Sequence, residues 1–297
     1  MAFLFDSFSN WKKYIDSGKL NIYDPVLEYE IEQKGTSQED IQNGLLDALN
    51  VMFEAVETGL NEDMKSTSGM INNGAKKVFR SEISVLNPEF QALIARALAA
   101  KEVNSCMGKV VAAPTAGASG IIPGVLYTLS EIHSIEKEKL AEALLISAGI
   151  GLIIEQKASL AGAVGGCQAE TGSAAAMASG ALVYCLGGDF DQISAAVGIT
   201  IQCMLGLVCD PVAGLVEVPC VVRNASAAAI AFSSAQIAIA SVGSVIPVDE
   251  CIDAMGEVGQ SMEDRYKETA MGGLAATKTG QEISKRVLID DIEILDE

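Results

Sequence analysis

Three observations predict an all-α fold for this chain of 297 residues. Apolar residues make up 49% of it but aromatics only 5%. Apolar positions recur at helical spacing behind recognisable caps, and strand-like alternation is hard to find. Ala and Gly carry much of the apolar total. The expected architecture is therefore a large helical domain with buried central helices and glycine-rich interhelical junctions. No repeat of fixed period divides the chain. The expected organisation is an N-terminal helical segment, residues 1–60, packed on a main domain, residues 61–297.

Thr36–Glu39 has capping-box form ahead of "IQNGLLDALNVMFEAV". Asn87 and Pro88 read as N-cap and first helical residue of "PEFQALIARALAA". Further helices are expected near 135–154, 171–186, 192–206, 224–243 and 249–262, with Asp191 and Asp249 as starts. Between them lie "PTAGASGIIPG" (114–124), "AGAVGGCQAETGS" (161–173) and "GLVCDPVAGLVEVPC" (206–220), with a milder case in "STSGMINNGAKK" (66–77). Glycine beside a helix start lets backbone approach a ligand and turns free N–H groups towards it, which suits a carboxylate. The same glycines also serve close helix packing. No phosphate-loop or dinucleotide fingerprint is present.

The formal charge of −19 argues against nucleic acid and against an anionic membrane surface, so the expected partners are small molecules or another protein. The middle of the chain is charge-poor: 110–250 carries 16 charged residues against 27 in 1–109. Its uncharged runs at 110–130, 171–188, 192–209 and 224–248 approach the length of a membrane span. They are rich in Gly, Ala, Ser and Pro, and their flanks show no positive-inside bias, so the central helices of a bundle account for them better. "MAFLFDSFSNWKKYID" shows no signal peptide, and seven cysteines, mostly in apolar context, read as reduced thiols in a cytoplasmic protein.

The usual catalytic groups are scarce. The one histidine, His133, sits in a charged stretch, and no GxSxG elbow accompanies it. Cys106, Cys185, Cys203 and Cys251 lie in helical runs and read as packing residues. Cys167, Cys209 and Cys220 stand instead beside glycine or proline breaks. Three thiolates from separate junctions can hold three irons of a [4Fe–4S] cluster and leave the fourth open as a Lewis acid. The spacing C-x41-C-x10-C is by itself a weak signal.

The wording of the motifs is more specific. "AAPTAGASGIIPG", "KASLAGAVGGCQAETGSAAAMA", "MLGLVCDPVAGLVEVPCVVRNA" and "RYKETAMGGLAATKTG" together closely resemble the α chain of iron–sulfur-dependent bacterial L-serine dehydratases. The likeness runs from about Ser66 to Gly280. It implies that Cys167, Cys209 and Cys220 hold a [4Fe–4S] cluster, with the remaining iron taking L-serine. It implies elimination of water to give pyruvate and ammonia without pyridoxal phosphate, a step of amino-acid degradation and gluconeogenesis sensitive to oxygen. It also implies a separate β chain and an α/β hetero-oligomer. Position suggests Thr115 and Ser119 for the substrate carboxylate, with Ser66 and Ser68 as further contacts. Arg223 and Asn224 are placed to fix the carboxylate or support the cluster. Asp210 and Glu217 read as partners of the ligands or as the catalytic base. Lys157 stands where the family usually has asparagine, and is a further candidate base or anion contact. The single-chain relatives end in a cysteine, whereas this chain ends "DDIEILDE", so a tail carboxylate or a β-chain residue would have to take that place. Rival readings are a cysteine desulfidase-like lyase of the same fold, a small-molecule membrane transporter, and a regulatory chain without a cluster.

Overall fold

The computed structural model describes residues 5–18 and 20–295, with side chains described up to residue 287. Among these residues there are thirteen α-helices and no strand. In order they are α1 (Phe8–Gly18), α2 (Asp24–Lys34), α3 (Gln38–Asn61), α4 (Gly74–Phe79), α5 (Pro88–Ser105), α6 (Ile121–His133) and α7 (Lys137–Ala158). There follow α8 (Gly162–Gly165), α9 (Ser173–Cys185), α10 (Phe190–Met204), α11 (Cys220–Ile239), α12 (Val248–Ser261) and α13 (Lys278–Leu295). The tail carboxylates considered above as cluster ligands lie outside the described side chains.

Helix α9 is the axis of the molecule. Every residue from Ser173 to Cys185 is buried, as an uncharged helix rich in small apolar residues requires. Helices α6, α7, α10 and α11 surround it, and α5 bridges α3, α6 and α11. Small residues set these distances. A Cβ added at Gly180 would stand 2.4 Å from Ile150 Cδ1, and one at Gly59 2.3 Å from the Ala99 carbonyl oxygen. At these two positions glycine serves helix packing and not a ligand.

The first helices join the same core. Phe5, Phe8 and Trp11 are buried with Phe190, and the Trp11 indole N–H donates to Ile22 O at 2.9 Å. Several helix starts differ from expectation. The capping box of α3 is Ser37 with Asp40, one residue on from Thr36 and Glu39. Asp189, not Asp191, caps α10, accepting from Gln192 N at 2.8 Å. Asp249 lies in the first turn of α12, but its carboxylate accepts from Phe8 N and Ser9 N at 2.9 and 3.0 Å. It thus satisfies the open N–H groups of α1 across the fold. Asn87 caps α5 as expected, accepting from Phe90 N at 2.8 Å. Helix α11 begins at Cys220, four residues before the expected start. Cys203 is exposed, so the packing expectation fails for it.

Candidate functional site

Three junctions meet at one end of α9 and α11. The first runs from α8 through Gly166, at φ +75°, to Cys167 and a single π-helical turn, Gln168–Gly172, that leads into α9. Gln168 ties this turn down: its amide donates to Met255 O at 2.9 Å, and its side-chain oxygen accepts from Gly206 N at 2.9 Å. The second is the segment between α10 and α11, which carries Cys209 and delivers Cys220 as the first residue of α11. Gly214, at φ +71°, makes its turn, and Pro219 precedes the helix. The third is the loop before α6, where Thr115 leads a 3-10 turn, Ala116–Ala118.

Cys167, Cys209 and Cys220 are buried and form no disulfide. Cys167 Sγ lies 2.9 Å from Thr171 Oγ1, and Cys209 Sγ 3.9 Å from Glu170 Oε2. The three thiols share one electrostatic neighbourhood. Burial pushes the Cys220 thiol up to about 12; Cys167 and Glu170 add to the rise, while Lys101 and Arg223 oppose it. Burial, then Cys167, Glu170, Glu268 and Cys220, raise Cys209. Burial raises Cys167 too, against the pull of Thr171 and Arg223. All three thiols feel Glu170.

Glu170 is half-buried at the centre of this group, and burial holds its carboxyl above the usual range. Glu268 adds to that rise, and Thr115, Lys101 and Cys209 counter it. Glycines leave the space it occupies. A Cβ on Gly162 would stand 2.7 Å from Glu170 Oε2 and 3.2 Å from Cys209 Sγ, and one on Gly117 3.3 Å from Glu170 Oε1. Ligand atoms of Glu170, Cys209 and Glu268 lie within 4.8 Å of one another, a set able to hold a metal ion.

The other expected site residues fall into two groups. Most support the junctions. Arg223 donates to Val208 O at 2.8 Å and pairs with Asp210 at 2.9 Å, so one guanidinium grips both neighbours of Cys209. The pair is an ion contact whose N–H direction falls off the line of a hydrogen bond. The other Asp210 oxygen accepts from Leu274 N at 2.7 Å. Asn224 donates to Gly117 O and Cys220 O and accepts from Gly120 N, each at 2.8 Å, locking the third junction to α11. Ser119 is buried and donates to Ala116 O at 2.8 Å. Glu217 Oε2 accepts from Ser66 Oγ at 2.7 Å and Ser68 Oγ at 2.6 Å, joining the 66–70 loop to the segment between the two cysteines. Thr115 faces Glu170, and its buried hydroxyl has no well-formed hydrogen bond among the described residues.

Lys157 stands apart. It lies in the last turn of α7 and pairs with Asp253 at 2.8 Å, on the side of α12. Conversely, Lys101, Glu170 and Glu268 adjoin the three thiols, and none of them is a candidate by sequence motif. Only Glu170 had a local signal, a carboxylate three residues after Cys167 on one turn. Among the described residues no helix is long and apolar enough to cross a membrane, which removes the basis of the transporter reading.

Comparison with known proteins gives one direction. The family profile "Serine dehydratase alpha chain" matches residues 17–275. The L-serine dehydratase alpha chain of Peptoniphilus asaccharolyticus is 45% identical over 91% of this chain and 93% of its own. A probable L-serine dehydratase alpha chain of Bacillus subtilis is 42% identical over 94% of this chain and 95% of its own. The L-serine dehydratase of Streptomyces coelicolor is 39% identical over 84% of this chain, and the match covers 56% of that longer protein.

Proposed function

This chain belongs to the serine dehydratase alpha-chain family, and from that premise we propose that it removes water from L-serine to give pyruvate and ammonia, at a [4Fe–4S] cluster held by Cys167, Cys209 and Cys220. The observation that carries the reading is the meeting of three buried, unbridged thiols from three chain positions around one carboxylate.

The donor set fits the group. Soft thiolates favour iron–sulfur clusters, and thiols whose burial holds them protonated release their protons when a metal binds. When bound, the cluster supplies a Lewis-acidic iron that polarises the serine hydroxyl. The rest falls to the chain. Hydroxide leaves poorly and the Cα–H is a weak acid, so a positioned base must act in concert. Glu170 Oε2 is the carboxylate best placed to take that proton, since it lies beside Cys209 and burial raises its affinity for protons. Thr115 and the Gly117–Ser119 backbone orient the substrate carboxylate, with Asn224 holding that loop. Asp210 and Arg223 fix Cys209, while Glu217 is held by Ser66 and Ser68. Lys157 anchors α7 to α12. Pyridoxal phosphate has no part in this scheme. The alpha-chain names of the relatives and the greater length of the single-chain kind support a β-type partner and an α/β hetero-oligomer, while reduced thiols and an iron with an open position belong to a cytoplasmic, oxygen-sensitive enzyme.

Anaerobic iron and sulfide reconstitution, with and without a β-type chain, tests this. The expected result is iron uptake, pyruvate release from L-serine faster than from threonine or cysteine, and loss of both iron and activity in Cys209→Ser. A chain that binds no iron, or a Cys209→Ser complex as active as wild type, overturns the reading. Preferential sulfide release from cysteine would move it to the desulfidase class.

A further inference from the structure

Lys101 is the least expected side chain in the molecule. It sits in α5, and its relative exposure is 0%. Lysine is almost never wholly buried without partners. Its Nζ donates to Val216 O at 2.9 Å and reaches Asn104 Oδ1 at 2.5 Å and Ser105 Oγ at 3.5 Å. Val216 belongs to the segment between Cys209 and Cys220, and Ser105 Oγ donates to the same carbonyl at 3.3 Å. The lysine stem packs where Gly120 has no Cβ: one added there would stand 3.0 Å from Lys101 Cβ. Cys220, Glu170 and Glu217, from three separate elements, lie near enough to the ammonium for their charged forms to favour it. Packing alone does not account for it, because an apolar residue fills such a slot without the cost of desolvating a cation.

We propose that Lys101 is a positioning residue for the cluster: it pins the Cys209–Cys220 segment at Val216 and sets a buried positive charge against the Cys220 thiolate. The inference rests on the cluster reading above. A cation in a low-dielectric interior acts strongly on nearby charge, so it stabilises a cluster that has gained an electron more than one that has not. The same ammonium restrains a loop that must bring two ligands to one group.

The test compares Lys101→Met with wild type in the full chain assembled anaerobically with a β-type chain, and in the iron-free chain. Equal iron content is expected. The reduction midpoint of Lys101→Met is expected at more negative values. In the iron-free variant, amides of 209–219 are expected to exchange at least about tenfold faster, as a loop released from its tie opens more often. Normal iron with an unmoved midpoint and unchanged exchange overturns this proposal alone. A wild-type chain that takes up no iron overturns the cluster reading and this one with it. Where Lys101→Met does not fold, Asn104→Asp sets a carboxylate against the same ammonium. It is read for the same negative shift, and its absence overturns the proposal.

Discussion

The shell around α9 and the corner holding the three cysteines are both buried, yet they use burial in opposite ways. Around α9, small apolar side chains let helices approach until Gly180 touches Ile150, and removal from water is favourable throughout. In the corner, a guanidinium lies beside buried thiols, a carboxylate and an ammonium, and burial shifts the proton affinities of those thiols, of Glu170 and of Lys101 away from ordinary values. The first region stores stability; the second holds chemistry in readiness at some cost to it. The two should therefore come apart under mutation.

Glu170→Gln should give the largest separation. It keeps the shape and removes the proton acceptor, so kcat should fall about 10²–10⁴-fold. Iron content and the urea midpoint should stay near wild type. A variant that keeps full kcat would move the base elsewhere in the corner. Ile150→Ala should do the reverse, costing about 2–5 kcal/mol in urea unfolding through the cavity it leaves, with kcat of the folded fraction unchanged. If its kcat collapses while the fold persists, the two regions are not separable.

The smallest effect is in pH. The Cys220 thiol moves from 9.0 in the open chain to about 12 in the fold. Below pH 9 it is protonated in both states and adds no slope. As pH rises from 9 towards 12 the unfolded chain sheds the proton and the fold keeps it, so stability falls. Lys101 acts with the opposite sign: burial lowers it from 10.5 to about 8, so its contribution rises with pH between those two values and is flat above them. Urea midpoints of the iron-free wild type and Cys220→Ser should therefore run parallel below pH 9 and converge or cross above it. Curves parallel throughout would show that the thiol is not held protonated by the fold.

The same contrast explains what could be read from the residues alone. Asn87 followed by Pro88 is a local signal, and it caps α5 where expected. The apolar, small-residue runs announced a buried helical centre, and α9 is that centre. The cysteine junctions were legible through motif wording, since each sits beside a glycine or proline break. Lys101 was not, because nothing in "ALAAKEVN" says which face of α5 turns inward under a loop more than a hundred residues away. Asp249 misled for the same reason. It has the look of a start for its own helix, but its carboxylate serves α1, 241 residues earlier in the chain. Lys157 drew notice through a family pattern, yet its contact is set by α12.

Arg223 carries a mechanical consequence. It sits one turn beyond Cys220 on a rigid helix and grips the residues on either side of Cys209. On the proposed cluster reading, Cys209 and Cys220 are thereby tied to each other through one guanidinium, while Cys167 comes from a different part of the chain. A chelate of that kind makes the second bond to an incoming iron nearly intramolecular, with an effective concentration far above that of free thiols. Assembly should then begin on Cys209 and Cys220 and finish on Cys167, so Cys167→Ser should trap a partly ligated iron species that Cys209→Ser cannot.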